Sequence, residues 1–275
     1  GTDRLINEDC SPTGFLWTFD TAGLARGVAS AVVREGGDSW YLLVADYAFG
    51  HQMSKQLNQI VTASGGRILG QSVHPVNTSD FASQLLAAQA SKAKVVGLAN
   101  AGSDTTTSLK QAAEFGLIEG GQKLVGLVIV LSDVDALGLD RAQGLVTTQA
   151  FYHDLNDATR AWSQRYYERS KRMPGQIQAS TYSAVLHYLR AVAAAGTADG
   201  KTVADKMRTT AVDDFYAPGA KIRADGRLMN DQYLIQVKRP AESKARWDYY
   251  KVLRTIPSAE AISPASDSKY SLMKP

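Results

Sequence analysis

Four histidines, His51, His74, His153 and His187, and one cysteine, Cys10, are the side chains of this 275-residue sequence most suited to metal binding or nucleophilic attack. Their spacing supports neither. No two histidines stand three or four residues apart, and one cysteine cannot form a C-x-x-C pair, so no metal site is expected. Cys10 sits in "EDCSPTG" without the helix start or basic neighbour that would activate a thiol. Glycine is plentiful, yet neither a G-x-S-x-G elbow nor a G-x-G-x-x-G or G-x-x-x-x-G-K-[ST] phosphate cradle occurs. Nucleophile, metal and nucleotide cofactor all lack a carrier, and the reading is a binding protein rather than an enzyme, with no cofactor.

The chemistry that remains is recognition, and its candidates collect at three corners: "ADYAFG" (Ala45 to Gly50), "ANAGSD" (Ala99 to Asp104) and "LSDVD" (Leu131 to Asp135). Each joins an apolar run to a helix start, where backbone N–H groups are unpaired. Together they offer aromatic faces (Tyr47, Phe49), amide and hydroxyl groups (Asn100, Ser103, Ser132) and carboxylates (Asp46, Asp104, Asp133). That mixture suits a small organic ligand with an apolar body and a few polar anchors. Each residue also has a plainer use: Ser103, Asp104 and Asp133 as helix caps, Phe49 as a hydrophobic staple.

These corners have to be held by something, and the pattern around them says what. From Thr21, amphipathic helical stretches alternate with short apolar runs: "AGLARGVASAVVREGG", "SWYLLVAD", "GHQMSKQLNQIVTASGG", "RILGQSVHP", "SDFASQLLAAQASKA", "KVVGLAN", "SDTTTSLKQAAEFG" and "KLVGLVIV". Strict alternation predicts right-handed crossovers and a parallel sheet covered on both faces, and such sheets present ligands at the carboxyl ends of their strands. After "AQGLVTTQAFY" the texture changes. Helices are predicted over Asn156 to Ser170, Gln176 to Ala195 and Thr202 to Thr209, then strands in "NDQYLIQVKRP" and "WDYYKVLRTIP", then a loose tail from Pro264. This half has helices but little sheet for them to cover.

Composition closes off other classes. A chain that is 44% hydrophobic and 21% charged, with a net charge of +3, folds as an ordinary globular protein. The densest basic run, "ERSKRMPG", is short and contains an acid, so no nucleic-acid partner is expected. No apolar run is long enough to span a membrane, and the first residues lack a signal-peptide layout.

Several segments, in order along nearly the whole chain, carry a resemblance: "WYLLVADYAFG", "GGRILG", "HPVNTSDFASQL", "VVGLANAGSDT", "AQGLVTTQAFY" and "YSAVLHYLRAV". They are similar to the periplasmic solute-binding proteins of ABC importers in the branched-chain amino-acid (type I) class, and to its aromatic-acid branch in particular. The resemblance implies an α/β fold of two Rossmann-like lobes joined by three crossing strands and closing on a ligand. It implies residues 1–17 as a remnant of lobe one, 18–146 as a complete lobe two, 147–228 as the later part of lobe one, and 229–275 as a return to lobe two and a tail. The family's opening strand–helix units have no counterpart, an expected shortfall of roughly 90 to 100 residues at about 30 per βαβ unit. An exposed apolar face is therefore expected between Thr147 and Arg227, and Cys10 is expected to have lost a partner with those units.

Carried over by motif, the resemblance places Tyr47 or Phe49 over the ligand, Asn100, Ala101 and Asp104 at the crevice, and Ser132 and Asp133 in the loop that meets a ligand amine. Trp17 and Tyr152 fall near the hinge. It implies a small carboxylated ligand, aromatic rather than aliphatic, a periplasmic location and the membrane permease of an ABC importer as partner. A ligand-sensing regulatory domain of the same fold is the rival. Asp133 is expected to face the ligand, and Asp104 to combine capping with ligand contact.

Overall fold

A computed structural model describes residues 3–269. Two compact units emerge. The sheet unit comprises Leu24–Thr148 and Tyr233–Thr255; the helical unit comprises Gln149–Gln232 with the described residues up to Gly23 and from Ile256.

The sheet unit follows the alternation of its sequence. Its elements are α1 (Thr21–Arg34), β1 (Ser39–Ala45), α2 (Ala48–Ala63), β2 (Arg67–His74), α3 (Ala82–Ala90), β3 (Val95–Ala99), α4 (Ser103–Glu114), β4 (Lys123–Gly126), α5 (Leu131–Leu137), α6 (Leu139–Ala142) and β5 (Val146–Gln149). Two later strands, β6 (Gln232–Val237) and β7 (Tyr250–Ile256), complete a seven-stranded sheet of order β2-β1-β3-β4-β5-β6-β7. Strands β1 to β5 pair in parallel. Every residue of the run "SWYLLVA" in β1 is buried, as an inner strand covered on both faces requires. β2, at the sheet edge, alternates exposed with half-buried positions instead.

Register positions the corners. Ala45 of β1 lies opposite His74 of β2, and Val44 opposite Ala99 of β3, so these three strands end side by side. The segments that follow them emerge at one edge of the sheet. β4 is shorter than its apolar sequence suggests. The run continues to Val130, but the ladder with β3 stops at Gly126 and only Val125 pairs with β5. Leu131, Ser132 and Asp133 consequently form the first turn of α5 rather than a loop at a strand end.

The helical unit holds α7 (Asp157–Ser170), α8 (Gln176–Ala195), α9 (Gly200–Thr209) and, after the sheet strands, α10 (Ser258–Ala261). Asn156 caps α7 by accepting the Thr159 N–H at 3.0 Å, and Asp199 caps α9 through Thr202 at 2.9 Å. Its core centres on Trp162, stacked on Phe215 at 4.2 Å, with Phe151 edge-on. Among the described residues, three isolated bridges occur outside the named strands: Leu16 with Arg227, Val212 with Ala220 and Ile222 with Leu228. The described residues from Ile256 to Lys269 also cluster here, whereas the sequence reading joined them to the other lobe. Ser258 N–H bonds Asp231, and the Arg223 guanidinium bonds the Ser263 carbonyl. The expected loose tail is tied down as far as Lys269, which donates to Asn7 and pairs with Glu8; residues 270–275 lie outside the described part.

α8 is inverted. Its buried side carries Gln176, Ala179, Ser180, Ser183, His187 and Ala191, while Ile177, Tyr182, Val185, Tyr188 and Leu189 are between 43% and 55% exposed. The apolar face expected of this half is the outer face of α8.

Candidate functional site

The corner after β1 is a tight turn. Tyr47 N–H reaches the Ala45 carbonyl at 2.8 Å, and α2 starts at once with Tyr47 as its N-cap residue in extended conformation. Gly50 permits this closeness, since a Cβ there would run into the Ala45 carbonyl oxygen. The outcome is a Tyr47 that is 41% exposed, its ring paired with Phe49 with centroids 5.8 Å apart. Asp46 beside them is occupied, its carboxylate 2.7 Å from His51 Nε2.

The corner after β3 is organised by Asn100, which is fully buried. Its Oδ1 accepts the Thr105 hydroxyl at 2.8 Å, and its amide nitrogen lies 3.3 Å from His74 Nε2 and 3.4 Å from Ser108 Oγ. His74 Nδ1 is 2.8 Å from the Pro75 carbonyl, which can only accept; Nδ1 carries the proton and Nε2 accepts from Asn100. Asn100 thus ties the ends of β2 and β3 to α4. All its polar atoms are used, which makes it a framework residue. Ala101 beyond it is half-buried, and Gly102 turns the chain at φ +61°.

Asp104 departs from the capping role. It is only 5% exposed, and the N-cap residue of α4 is Gly102 rather than Asp104. One carboxylate oxygen accepts the Asn77 N–H at 3.1 Å; the other, Oδ1, is buried with no hydrogen-bond partner among the described residues. A carboxylate so placed carries a desolvation cost that a donor would relieve. The Tyr47 phenol is held above its ordinary pKa of 10.0 by burial and, second, by the negative charge of Asp104. Tyr47 and Asp104 therefore share one electrostatic neighbourhood.

Asp133 behaves oppositely. Its carboxylate bends back to accept the Val130 N–H at 3.0 Å, closing the first turn of α5. Burial raises its pKa above 3.8, against the pull of that hydrogen bond. Ser132 beside it is exposed. Asp135, the last acid of the same motif, accepts the Tyr249 hydroxyl at 2.6 Å and pairs with Arg246. In the helical unit, Trp17 is buried with its indole N–H on Ser183 Oγ at 3.0 Å, and Tyr152 is buried against His153 at 4.4 Å.

The structure thus gathers Tyr47, Phe49, Asn100, Ala101 and Asp104 at one edge of the sheet unit. It gives Asp133 to its own helix and places Trp17 and Tyr152 in the other unit. Sequence reasoning missed Asn77 as a support for the site. Its signal was the Pro75 break after β2 followed by an Asn, a residue tolerant of the left-handed φ of +60° found there. Among the described residues no helix is long and apolar enough to cross a membrane, and no group of three or more potential metal ligands occurs.

Comparison with known proteins bears on this arrangement. Residues 1–245 match the family model described as periplasmic binding protein. Among solved structures, the chain resembles a periplasmic binding protein of Burkholderia mallei at 46% identity and a TM-score of 0.92, covering 100% of this chain and 72% of that one. It resembles a branched-chain amino acid ABC transporter periplasmic ligand-binding protein of Burkholderia xenovorans at 35% identity and a TM-score of 0.92, covering 98% and 72%. A solute-binding protein of an R. palustris ABC transporter, solved with benzoate, shares the fold at 20% identity and a TM-score of 0.81, covering 94% and 69%. No curated protein matches the sequence.

Proposed function

The chain belongs to the periplasmic binding protein family, whose members are solute-binding proteins and not enzymes, and on that premise we propose that it captures a small carboxylated solute for an ABC importer. The solute is an amino acid or an aromatic acid, and it is delivered in the periplasm to the importer's membrane permease. In the sheet unit the ligand contacts are Tyr47, Phe49, Ala101 and Asp104, with Asn100 as their framework. Ser132 and Asp133 lie one strand further along the sheet order; within the helical unit, taken by itself, Trp17 and Tyr152 are the ligand-contact candidates.

The observation that carries this reading is the buried Oδ1 of Asp104, without a hydrogen-bond partner among the described residues, near the exposed Tyr47 and its half-buried neighbour Phe49 at the carboxyl ends of parallel strands. Such an oxygen asks for a donor. The α-ammonium of an amino acid supplies one, as for the branched-chain amino acids named for the B. xenovorans relative; benzoate, found in the R. palustris relative, has none. Between the two ligand classes this favours the amino acid.

Calorimetric titration with L-leucine, L-phenylalanine and benzoate tests it. The expected result is binding of an amino acid that Asp104→Ala weakens by about ten- to a hundredfold, on the order of 1 to 3 kcal/mol. Binding of benzoate alone, unaffected by that substitution, would overturn the amino-acid assignment. Heat from none of the three would overturn the ligand class.

A further inference from the structure

On the reading of the strand-end corners as a solute site, we infer that His74 is a positioning residue for that site: its carbonyl holds the corner after β1, while its ring holds the corner after β3 and the turn after β2. His74 is wholly buried at the last position of β2, with Phe81 edge-on to its ring at 4.7 Å. A buried neutral imidazole has one donor and one acceptor to satisfy, and the partners it takes show what it serves.

Both ring nitrogens turn toward the strand ends. Nδ1 donates to the Pro75 carbonyl at 2.8 Å, and the same carbonyl accepts the Thr78 hydroxyl at 2.6 Å. These two bonds brace the turn from Pro75 to Thr78, and within it Asn77 presents its N–H to Asp104 at 3.1 Å. Nε2 accepts from the Asn100 amide nitrogen at 3.3 Å, which leaves Asn100 Oδ1 facing the hydroxyl of Thr105, the residue after Asp104. The orientation of that amide depends on the tautomer: an acceptor at Nε2 calls for the Asn100 nitrogen, whereas a donor there would call for its oxygen. The main chain adds a third link, since the His74 carbonyl accepts the Asp46 N–H at 2.7 Å, immediately before Tyr47. His74 thus acts on both Tyr47 and Asp104 through their neighbours in sequence.

Two substitutions separate positioning from the filling of core volume. His74→Gln can set a carbonyl oxygen where Nε2 stands, and His74→Leu keeps apolar volume with no polar atom. Calorimetric titration of the 275-residue chain with L-leucine, L-phenylalanine and benzoate reads binding. Heteronuclear NMR of the free protein reads the imidazole tautomer, the Asn77 amide and the Asn100 side-chain amide. The parent should show His74 protonated at Nδ1 alone. His74→Leu should shift both amide resonances and weaken binding by about tenfold or more, because the buried Asn100 amide loses its acceptor; His74→Gln should restore most of both. A histidine that only fills volume predicts the reverse order, with leucine the better replacement, and that order overturns the inference. An imidazole protonated at Nε2 overturns it as well. If the parent binds none of the three compounds, the solute reading fails by itself and the resonances still decide: unmoved amides in His74→Leu overturn the positioning role, and displaced amides that recover in His74→Gln uphold it.

Discussion

Asp104 and Asp133 both stand in the first turn of a helix that follows an apolar strand sequence, yet the protein uses them in opposite ways. Asp133 is the third residue of its helix as counted from the N-cap Val130, and from there a carboxylate reaches back to the N-cap N–H. Asp104 is the second residue after its N-cap Gly102, one position too early for that reach. Its carboxylate points across to Asn77 instead and keeps one oxygen buried and unpaired. One residue of phase separates a group spent on local structure from one that keeps an oxygen unpaired among the described residues.

The largest expected effect breaks or upholds that contrast directly. Asp104→Ala should lower amino-acid affinity by about ten- to a hundredfold while leaving the melting temperature nearly unchanged, since Asn77 lies on an exposed turn where water can take its N–H. A drop in stability with affinity intact would place Asp104 with Asp133 as a structural acid. Next is Gly102→Ala. The space around Gly102 is open, so the only penalty is its positive φ, about 1 to 3 kcal/mol in a denaturant melt. The same substitution should weaken binding, because it disturbs the turn that aims Asp104. Asp133→Ala comes third, with about 1 kcal/mol of stability lost as a cap and affinity untouched. Weakened binding in that variant would mean both acids serve the ligand.

The smallest effect is in pH. A carboxyl whose folded pKa is raised by burial favours the protonated fold, so its contribution is fully present below the ordinary value of 3.8 and is lost as pH rises through the higher folded value. Asp133→Asn keeps an acceptor for Val130 but removes the charge. Urea melts across that window should show a flatter pH dependence in the variant than in the parent, and identical slopes would remove burial as the dominant influence on Asp133.

Much of the architecture was legible because it rests on local rules. The apolar run of β1, the glycine ends of α1 and α2, and the bounds of α8 follow from periodicity and end signals within about one turn of chain. The gathering of the strand ends at one edge was legible because parallel sheets present their carboxyl ends together. Less legible was the length of β4, because strand length depends on how far the neighbouring ladders extend. The buried role of Asn100 was hidden for a similar reason: its partner His74 lies 26 residues away, at the end of another strand.

By itself the sequence determined the alternation of helices and strands, the parallel sheet it demands, and the residue types gathered at the strand ends, all properties of short range in the chain. Only the tertiary structure decided which of those residues remain free to act. Hydrogen-bond partners are assigned by register and burial, and these bring Asn77 to Asp104 and His74 to Asn100 across tens of residues while Val130 meets Asp133 three residues away. Where the competing partner is near in sequence, role follows from spacing; where it is distant, role exists only once the sheet has formed.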